Sequence, residues 1–194
     1  MIIGITGGMG SGKSTLANVL KEKGFSVFDA DAIYKELTGP GEALVLKLEE
    51  LFGRDVSDEN HSLNRARLSE AAFSSEENIR LLNETTHKAV KDEIERRVSE
   101  SGSDLIALDI PLLFESGSDA GCDEVWLVVA PLKDRLERIV MRDGISEDEA
   151  LKRISHQMSD EDKIKLSDVV IYNDSTYEEL VNKIDEIVKE RLKL

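Results

Sequence analysis

Short apolar runs recur along the chain and are the pattern from which its strands are predicted. These runs predict five β-strands, at residues 1–6, 25–28, 105–108, 124–130 and 169–171. The runs at 105–108 and 124–130 are apolar at nearly every position, which is typical of strands buried on both faces of a parallel sheet.

Between the runs, apolar residues follow helical spacing. Residues 15–23 carry Leu16, Val19 and Leu20 on one stripe, and residues 177–192 carry another. Residues 42–100 have a helical pattern, broken by the polar stretch 54–62, with no convincing strand. Residue 132 to about residue 165 forms a charged helical stretch.

Strands that alternate with helices predict an α/β fold, with a doubly wound five-stranded parallel sheet and helices on both faces. Residues 1–194 then form one unit. Its core comprises 1–32, 101–131 and 166–194, with helical segments inserted at about 33–100 and about 132–165. Ligands of such a fold bind beyond the carboxyl ends of the strands.

Residues 7–14 read Gly-Gly-Met-Gly-Ser-Gly-Lys-Ser, which fits the phosphate-binding pattern of a glycine, four residues and Gly-Lys-Ser. Glycine recurs because the chain turns its N–H groups inward around the anion. In this pattern Lys13 reaches the β- and γ-phosphates, and Ser14 offers its hydroxyl to Mg²⁺. A chance glycine-rich turn is the alternative, but the predicted strand before the motif and the helix after it favour binding of a nucleoside triphosphate such as ATP.

Carboxylates follow two other predicted strands. Asp29 and Asp31 are two residues apart, so in an extended segment both project to the same side, where one could orient or deprotonate an attacking hydroxyl. Alternatively, Asp31 caps a helix beginning near Ala32. Asp109 ends the third strand and is a candidate magnesium ligand, or else a turn residue. Glu115 is a weaker candidate for a functional residue, since a glutamate exposed in a loop is common without any function.

Arg135, Arg138 and Arg142 fall at i, i+3 and i+7 and therefore share one helical face. Such a triplet is compatible with a solvated helix laced with ion pairs. After the fourth strand of a phosphate-binding fold, the pattern favours a mobile lid at 132–165 that brings cations to the transferred phosphoryl group.

Residues 182–185 read Asn-Lys-Ile-Asp, like the guanine-reading signature of GTPases. Their place within the predicted last helix argues against that function, because the signature belongs at a strand end. The chain also contains no Asp-x-x-Gly. A GTPase switch is therefore not the favoured interpretation.

A formal charge of −15 and a pI near 4.7 argue against nucleic-acid or anionic membrane partners and favour small-molecule substrates. The single cysteine, Cys122, has no internal disulfide partner, and the three histidines lack metal-ligand spacing. No membrane span or signal sequence is evident, so we expect a cytoplasmic protein that is a monomer or a small homo-oligomer.

Together these motifs resemble those of the dephospho-coenzyme A kinase family of P-loop small-molecule kinases. Asp-Ala-Asp at 29–31 and Pro-Leu-Leu-Phe-Glu at 111–115 separate this family from other small P-loop kinases. The matching blocks span nearly the whole chain: 5–15, 29–31, 39–41, 110–115, 138–143, 157–158 and 168–173.

The resemblance implies that the γ-phosphate of ATP passes to the 3′-hydroxyl of the ribose of dephospho-CoA, the last step of CoA synthesis. It implies that Asp31 is the general base or the residue that orients the hydroxyl, and that Lys13, Arg138 and Arg142 stabilise charge. The insertion would bind CoA. The implied ATP contacts are Gly8, Gly10, Ser11, Gly12, Lys13, Ser14, Thr15, Arg142 and Asn173; the implied substrate contacts are Asp29, Asp31, His87, Pro111 and Leu112; the implied metal ligands are Ser14 and Asp109.

Two departures from the family pattern stand out. His87-Lys88 replaces the usual His-Pro, which predicts that helix continues there, and Asn173-Asp174-Ser175 replaces Asn-Asn-Gly in the loop expected near adenine. A nucleoside or nucleoside monophosphate kinase of the same fold is the nearest alternative function. A nucleotide-dependent switch without an acceptor substrate is the third.

Overall fold

The computed structural model describes residues 1–192, in which strands alternate with helices. The strands are β1 (Ile2–Gly7), β2 (Ser26–Asp29), β3 (Ile106–Asp109), β4 (Glu124–Val129) and β5 (Val169–Tyr172). The helices are α1 (Lys13–Glu22), α2 (Ala30–Leu37), α3 (Ala43–Phe52), α4 (Arg65–Ala72), α5 (Glu76–Ser101), α6 (Leu132–Asp143), α7 (Glu147–Ser155), α8 (Asp160–Leu166) and α9 (Tyr177–Leu192). Each predicted strand is present, with its ends shifted by a residue or two.

Within the described residues the strands form one five-stranded sheet in the order β2-β3-β1-β4-β5. Strand β1 pairs in parallel with β3 on one side and with β4 on the other. The predicted parallel α/β sheet is therefore confirmed. The chain leaves β1 at the centre of the sheet, where the strand order reverses, and such a reversal opens a crevice for ligands.

Alternate residues of β1 face opposite sides of the sheet. Ile3 and Ile5 pack into a buried cluster with α1 and α9, on one face. Gly4 faces the other side, where a Cβ would lie only 2.7 Å from Sγ of Cys122. The fully buried Leu113 fills the same side. The sheet is thus covered on both faces, as predicted.

Two compact units are distinguished by their contacts. One comprises Met1–Phe28 and the described chain from Ser103 onward, and it contains most of the sheet. The other, Asp29–Gly102, holds α2 to α5 around its own core of Leu44, Leu48, Val56 and Leu68. In this second unit α5 runs unbroken through His87 and Lys88, as the absence of the family's proline suggested.

The charged stretch from 132 to about 165 is not one helix but three, α6, α7 and α8. Gly144 ends α6 in the left-handed conformation, at φ 66°, which glycine adopts without steric cost. Ser146 and Ser159 then cap α7 and α8, each accepting a hydrogen bond from a backbone N–H of the first turn. Capping residues, rather than apolar spacing, set these boundaries.

Residues 182–185 lie inside α9, with Ile184 fully buried and Asp185 paired with Lys23 at 2.8 Å. The structure therefore supports the rejection of a guanine-reading signature at this position. Among the helices of residues 1–192, none combines the length and apolar character that crossing a membrane requires.

Candidate active site

The loop between β1 and α1 has the backbone of a phosphate cradle. Gly10 and Gly12 have φ values of 77° and 102°, a region that side chains with a Cβ rarely adopt. The N–H of Ser11 donates to the carbonyl of Gly8 at 3.0 Å, and that of Thr15 to Gly12 at 2.9 Å. The loop leads into the first turn of α1, which carries no acidic residue, so the positive end of the helix is available to an anion.

Lys13 and Asp109 form an ion pair below this loop, with the ammonium donating to Oδ1 of Asp109. Asp109 is 5% exposed at the end of β3, and β1 brings Lys13 to it because the two strands are neighbours. Ser14 is exposed in the first turn of α1. The structure thus brings together Lys13 and Asp109, two of the predicted site residues.

Two of the three arginines on α6 bind the backbone of the nucleotide loop. Nε of Arg135 donates to the carbonyl of Met9 at 2.9 Å, and a guanidinium N–H of Arg138 donates to the carbonyl of Gly10 at 3.1 Å. These contacts turn the carbonyls of the loop toward α6. Arg135 and Arg138 therefore contact the phosphate loop rather than solvent alone, while closure of this segment as a lid over the triphosphate stays a prediction.

Arg142 is placed differently from the other two. Its guanidinium pairs with Asp143 at 2.7 Å, and its side chain is 63% exposed. The hydrogen bonds of this pair raise the pKa of Arg142 and lower that of Asp143. The predicted contact of Arg142 with ATP stays a prediction.

Arg135 had no assigned role in the sequence-derived site, although its spacing placed it on the arginine face. It is 4% exposed, and it also pairs with Asp160, at 2.7 Å, at the start of α8. Its partners lie 126 residues before it and 25 residues after it. No local pattern reveals such contacts.

Asn173 follows β5 and is buried at the nucleotide loop. Its side-chain amide donates to the carbonyl of Ser11 at 2.8 Å, and a Cβ on Gly12 would collide with the same amide nitrogen. Asn173 therefore supports the loop from the direction of β5. Its predicted approach to adenine is untested.

The paired aspartates do not have the predicted extended conformation. The helix α2 begins at Ala30, and its N-cap is Asp29, whose Oδ1 accepts from the N–H groups of Asp31 and Ala32 at 2.8 and 3.1 Å. The prediction that both side chains project from an extended segment is wrong, because the strand ends at Asp29. Capping by Asp31 is also wrong; its exposed carboxylate makes no hydrogen bond within residues 1–192.

Besides the two aspartates, the predicted acceptor contacts lie on two further segments. Leu112 is 43% exposed in the turn after β3, while the adjacent Leu113 is fully buried. The turn is anchored by Thr6, whose hydroxyl donates to the carbonyl of Pro111 at 3.2 Å. His87 is exposed on α5, in the second compact unit. Their contacts with substrate stay predictions.

Glu115 is more than the unremarkable loop residue that the sequence suggested. Its Oε1 accepts from the N–H of Met158 at 2.9 Å and lies 3.1 Å from the ammonium of Lys163, which is fully buried. Burial alone would raise the pKa of Glu115, but the hydrogen bond from the N–H of Met158 and the nearby positive charge of Lys163 outweigh it and lower the pKa. A lysine at a buried position of α8 was the missed signal, since a buried ammonium requires an acidic partner.

Oxygen donors of the kind that Mg²⁺ prefers are present at the loop, from the hydroxyl of Ser14 and the carboxylate of Asp109. In the described part of the chain, no group of three His, Cys, Asp or Glu side chains is arranged to hold a metal by itself. Mg²⁺ bound with nucleotide takes only one or two protein oxygens and completes its shell with phosphates and water. The residues present fit that kind of site.

Comparison with known proteins identifies relatives over nearly the whole chain. A family model described as dephospho-CoA kinase matches residues 1–179. The dephospho-CoA kinase of Carboxydothermus hydrogenoformans is 42% identical over 191 residues, which make up 97% of this chain and 93% of the relative. A solved structure from Thermus thermophilus has a TM-score of 0.84 at 34% identity, covering 98% of this chain and 97% of that chain. The dephospho-CoA kinase from Campylobacter jejuni has a TM-score of 0.74 at 26% identity, covering 99% and 97%.

Proposed function

We propose that this chain, which belongs to the dephospho-CoA kinase family, transfers the γ-phosphate of ATP to the 3′-hydroxyl of the ribose of dephospho-CoA, giving CoA and ADP. The match of residues 1–179 to the family carries the proposal, because it covers both the phosphate loop and the segments assigned to the acceptor. The loop geometry supports the donor half independently of the family.

On the donor side, Gly8 and the loop residues from Gly10 to Thr15 bind the phosphates of ATP. Lys13 reaches the β- and γ-phosphates. An ammonium group carries three N–H donors, so Lys13 can keep Asp109 as a partner while it donates to phosphate oxygens. The pair with Asp109 holds the lysine in place before the nucleotide arrives, which reduces the entropy lost on binding.

Arg138 and Arg142 supply further positive charge to the transferring phosphoryl group. Arg138 is already at the loop, through the carbonyl of Gly10. Arg142 must leave Asp143, but an exposed ion pair of this kind is worth only about 0–1 kcal/mol. Moving Arg142 onto the triphosphate in a closing lid therefore costs little.

Ser14 and Asp109 hold Mg²⁺ in this proposal, through their hydroxyl and carboxylate oxygens. When bound, the ion neutralises charge on the β- and γ-phosphates. Asp109 suits the role because β3 presents its carboxylate beside Lys13 of the loop.

On the acceptor side, Asp31 orients the 3′-hydroxyl or takes its proton while the oxygen forms a bond to the γ-phosphorus and the bond from that phosphorus to the β-phosphate oxygen breaks. Asp29 is the weaker candidate, since its Oδ1 is already occupied by two N–H groups of α2. Asp29, His87, Pro111 and Leu112 contact the acceptor, and Asn173 lies toward adenine. The lone Cys122 suits a reducing cytoplasm, where the chain acts as a monomer or small homo-oligomer.

A coupled assay of ADP release tests the proposal with ATP, Mg²⁺ and four separate acceptors: dephospho-CoA, AMP, CMP and adenosine. We expect strong turnover with dephospho-CoA and little with the other three. Turnover with a nucleoside or nucleoside monophosphate, and none with dephospho-CoA, would instead establish the alternative kinase activity. ADP release that is independent of every acceptor would indicate a nucleotide switch.

A further inference from the structure

Two adjacent residues between α7 and α8 each hold a different loop. The side-chain oxygen of Gln157 accepts a hydrogen bond from the N–H of Met9, in the nucleotide loop, at 3.0 Å. The N–H of Met158 donates to Oε1 of Glu115, in the turn after β3, at 2.9 Å. The contacts span 148 and 43 residues of sequence, so this dipeptide links segments that are otherwise distant along the chain.

The dipeptide is itself fixed by the helix that follows it. Ser159 caps α8, and Asp160 in the first turn of α8 pairs with Arg135, which in turn holds the carbonyl of Met9. Both polar groups of Met9 are therefore occupied, its N–H by Gln157 and its carbonyl by Arg135. The backbone N–H of Met9 is therefore not available to phosphate.

We infer that Gln157 and Met158 are positioning residues, which hold the nucleotide loop in its phosphate-binding conformation and tie that conformation to Glu115. The inference rests on the proposed function, in which the loop binds ATP and the turn after β3 contacts the acceptor. The affinity of the loop for nucleotide therefore depends on Glu115, because Gln157 and Met158 connect the two.

The size of the effect follows from the hydrogen bonds involved. Without the Gln157 acceptor, the Met9 peptide gains conformations in the free protein that must be lost when the nucleotide binds. One hydrogen bond of this kind corresponds to about a three- to tenfold change in an equilibrium constant. We expect that factor in nucleotide affinity.

The test uses isothermal titration calorimetry of the full chain with Mg²⁺ and a non-hydrolysable ATP analogue, AMP-PNP. Gln157→Met removes the acceptor at similar side-chain length. The double variant Glu115→Leu/Lys163→Met removes the acceptor for Met158 without leaving the buried ammonium unpaired. Lys163→Met alone is its matched control, since the Glu115–Met158 hydrogen bond is kept.

Gln157→Met and the double variant are each expected to weaken AMP-PNP binding about three- to tenfold, and their combination no further, because both break the same link. Lys163→Met is expected to bind like the wild type. Unchanged affinity in Gln157→Met, or fully multiplicative effects in the combination, would overturn the inference. If the double variant does not fold, Glu115→Ala/Lys163→Met, which removes the same acceptor for Met158, takes its place.

The same set of proteins separates this inference from the proposed function. AMP-PNP binding requires no acceptor, so it reports on the link whether or not dephospho-CoA is the substrate. A wild-type chain that binds AMP-PNP but leaves dephospho-CoA unphosphorylated would refute the proposed function alone. Glu149→Gln, which removes a 50% exposed carboxylate from α7, is a control for nonspecific effects of changes in this region.

Discussion

Replacing Arg135 with methionine removes a buried guanidinium that joins the nucleotide loop to α8. Two charge-assisted hydrogen bonds are lost, to the Met9 carbonyl at 2.9 Å and to Asp160 at 2.7 Å, and each is worth about 1.5–3 kcal/mol. Part of this is recovered, because the side chain of Asp160 is 27% exposed and can be hydrated, and because methionine fills much of the space. We expect the free energy of unfolding to fall by about 3 kcal/mol.

Urea unfolding followed by tryptophan fluorescence measures this change. Trp126 is the only tryptophan, is fully buried in β4, and lies in the same compact unit as Arg135. The control, Arg153→Met, removes an arginine from α7 whose side chain is 44% exposed and should change stability by about 0.5 kcal/mol or less. An Arg135→Met variant within about 0.5 kcal/mol of the wild type would refute the reasoning, since buried ion pairs are not broken so cheaply.

Three further predictions concern the loop, the base and the thiol. Gly12→Ala is expected to weaken AMP-PNP binding at least about tenfold, because the new Cβ would collide with the side-chain amide of Asn173. The control, Gly24→Ala, introduces similar φ strain where no atom is close, and equal affinities in the two variants would contradict the argument. Asp31→Asn should lower kcat by about 100-fold or more while AMP-PNP still binds, and an unchanged kcat would exclude Asp31 as the base. Burial and nearby acidic charge raise the pKa of Cys122 to about 11. At pH 8 its reaction with a disulfide reagent should therefore be about 100-fold slower in the native protein than in the urea-unfolded protein, and equal rates would show that the thiol is accessible.

The sheet was predictable because its signal is local. Runs such as 124–130 are apolar at almost every position, and only a strand buried on both faces tolerates that composition. The nucleotide loop could be predicted for the same reason. Gly10 and Gly12 have φ values of 77° and 102°, which other residues avoid, so the loop requires glycine at these positions. Both predictions depend only on residues close together in the sequence.

The conformation of the aspartates was harder to predict from the same kind of evidence. Asp29 and Asp31 were placed in an extended segment, but a helix N-cap needs only one aspartate followed by helix-forming residues, and Asp29 is that residue. A strand and a helix that meet without a loop leave no separate signal for the boundary. The predicted start of the helix is displaced by two residues. This small displacement decides which of the two carboxylates is available for chemistry.

The supports of the nucleotide loop could not be predicted, for a different reason. Gln157, Arg135 and Asn173 all act on backbone groups of residues 9–11, which lie more than a hundred residues away along the chain. A backbone carbonyl or N–H leaves no trace in the sequence of its partner. Such contacts emerge only once the sheet has brought β1, β4 and β5 side by side.

The central claim is that the chain phosphorylates the 3′-hydroxyl of dephospho-CoA. Nuclear magnetic resonance of the purified product, after incubation with ATP, Mg²⁺ and dephospho-CoA, measures this directly through the coupling of the new phosphorus to a ribose proton. We expect a single phosphate monoester on the 3′-oxygen, identical to authentic CoA, and one ADP for each product formed. Unmodified dephospho-CoA, or phosphate on the 2′-oxygen or elsewhere, would contradict the account.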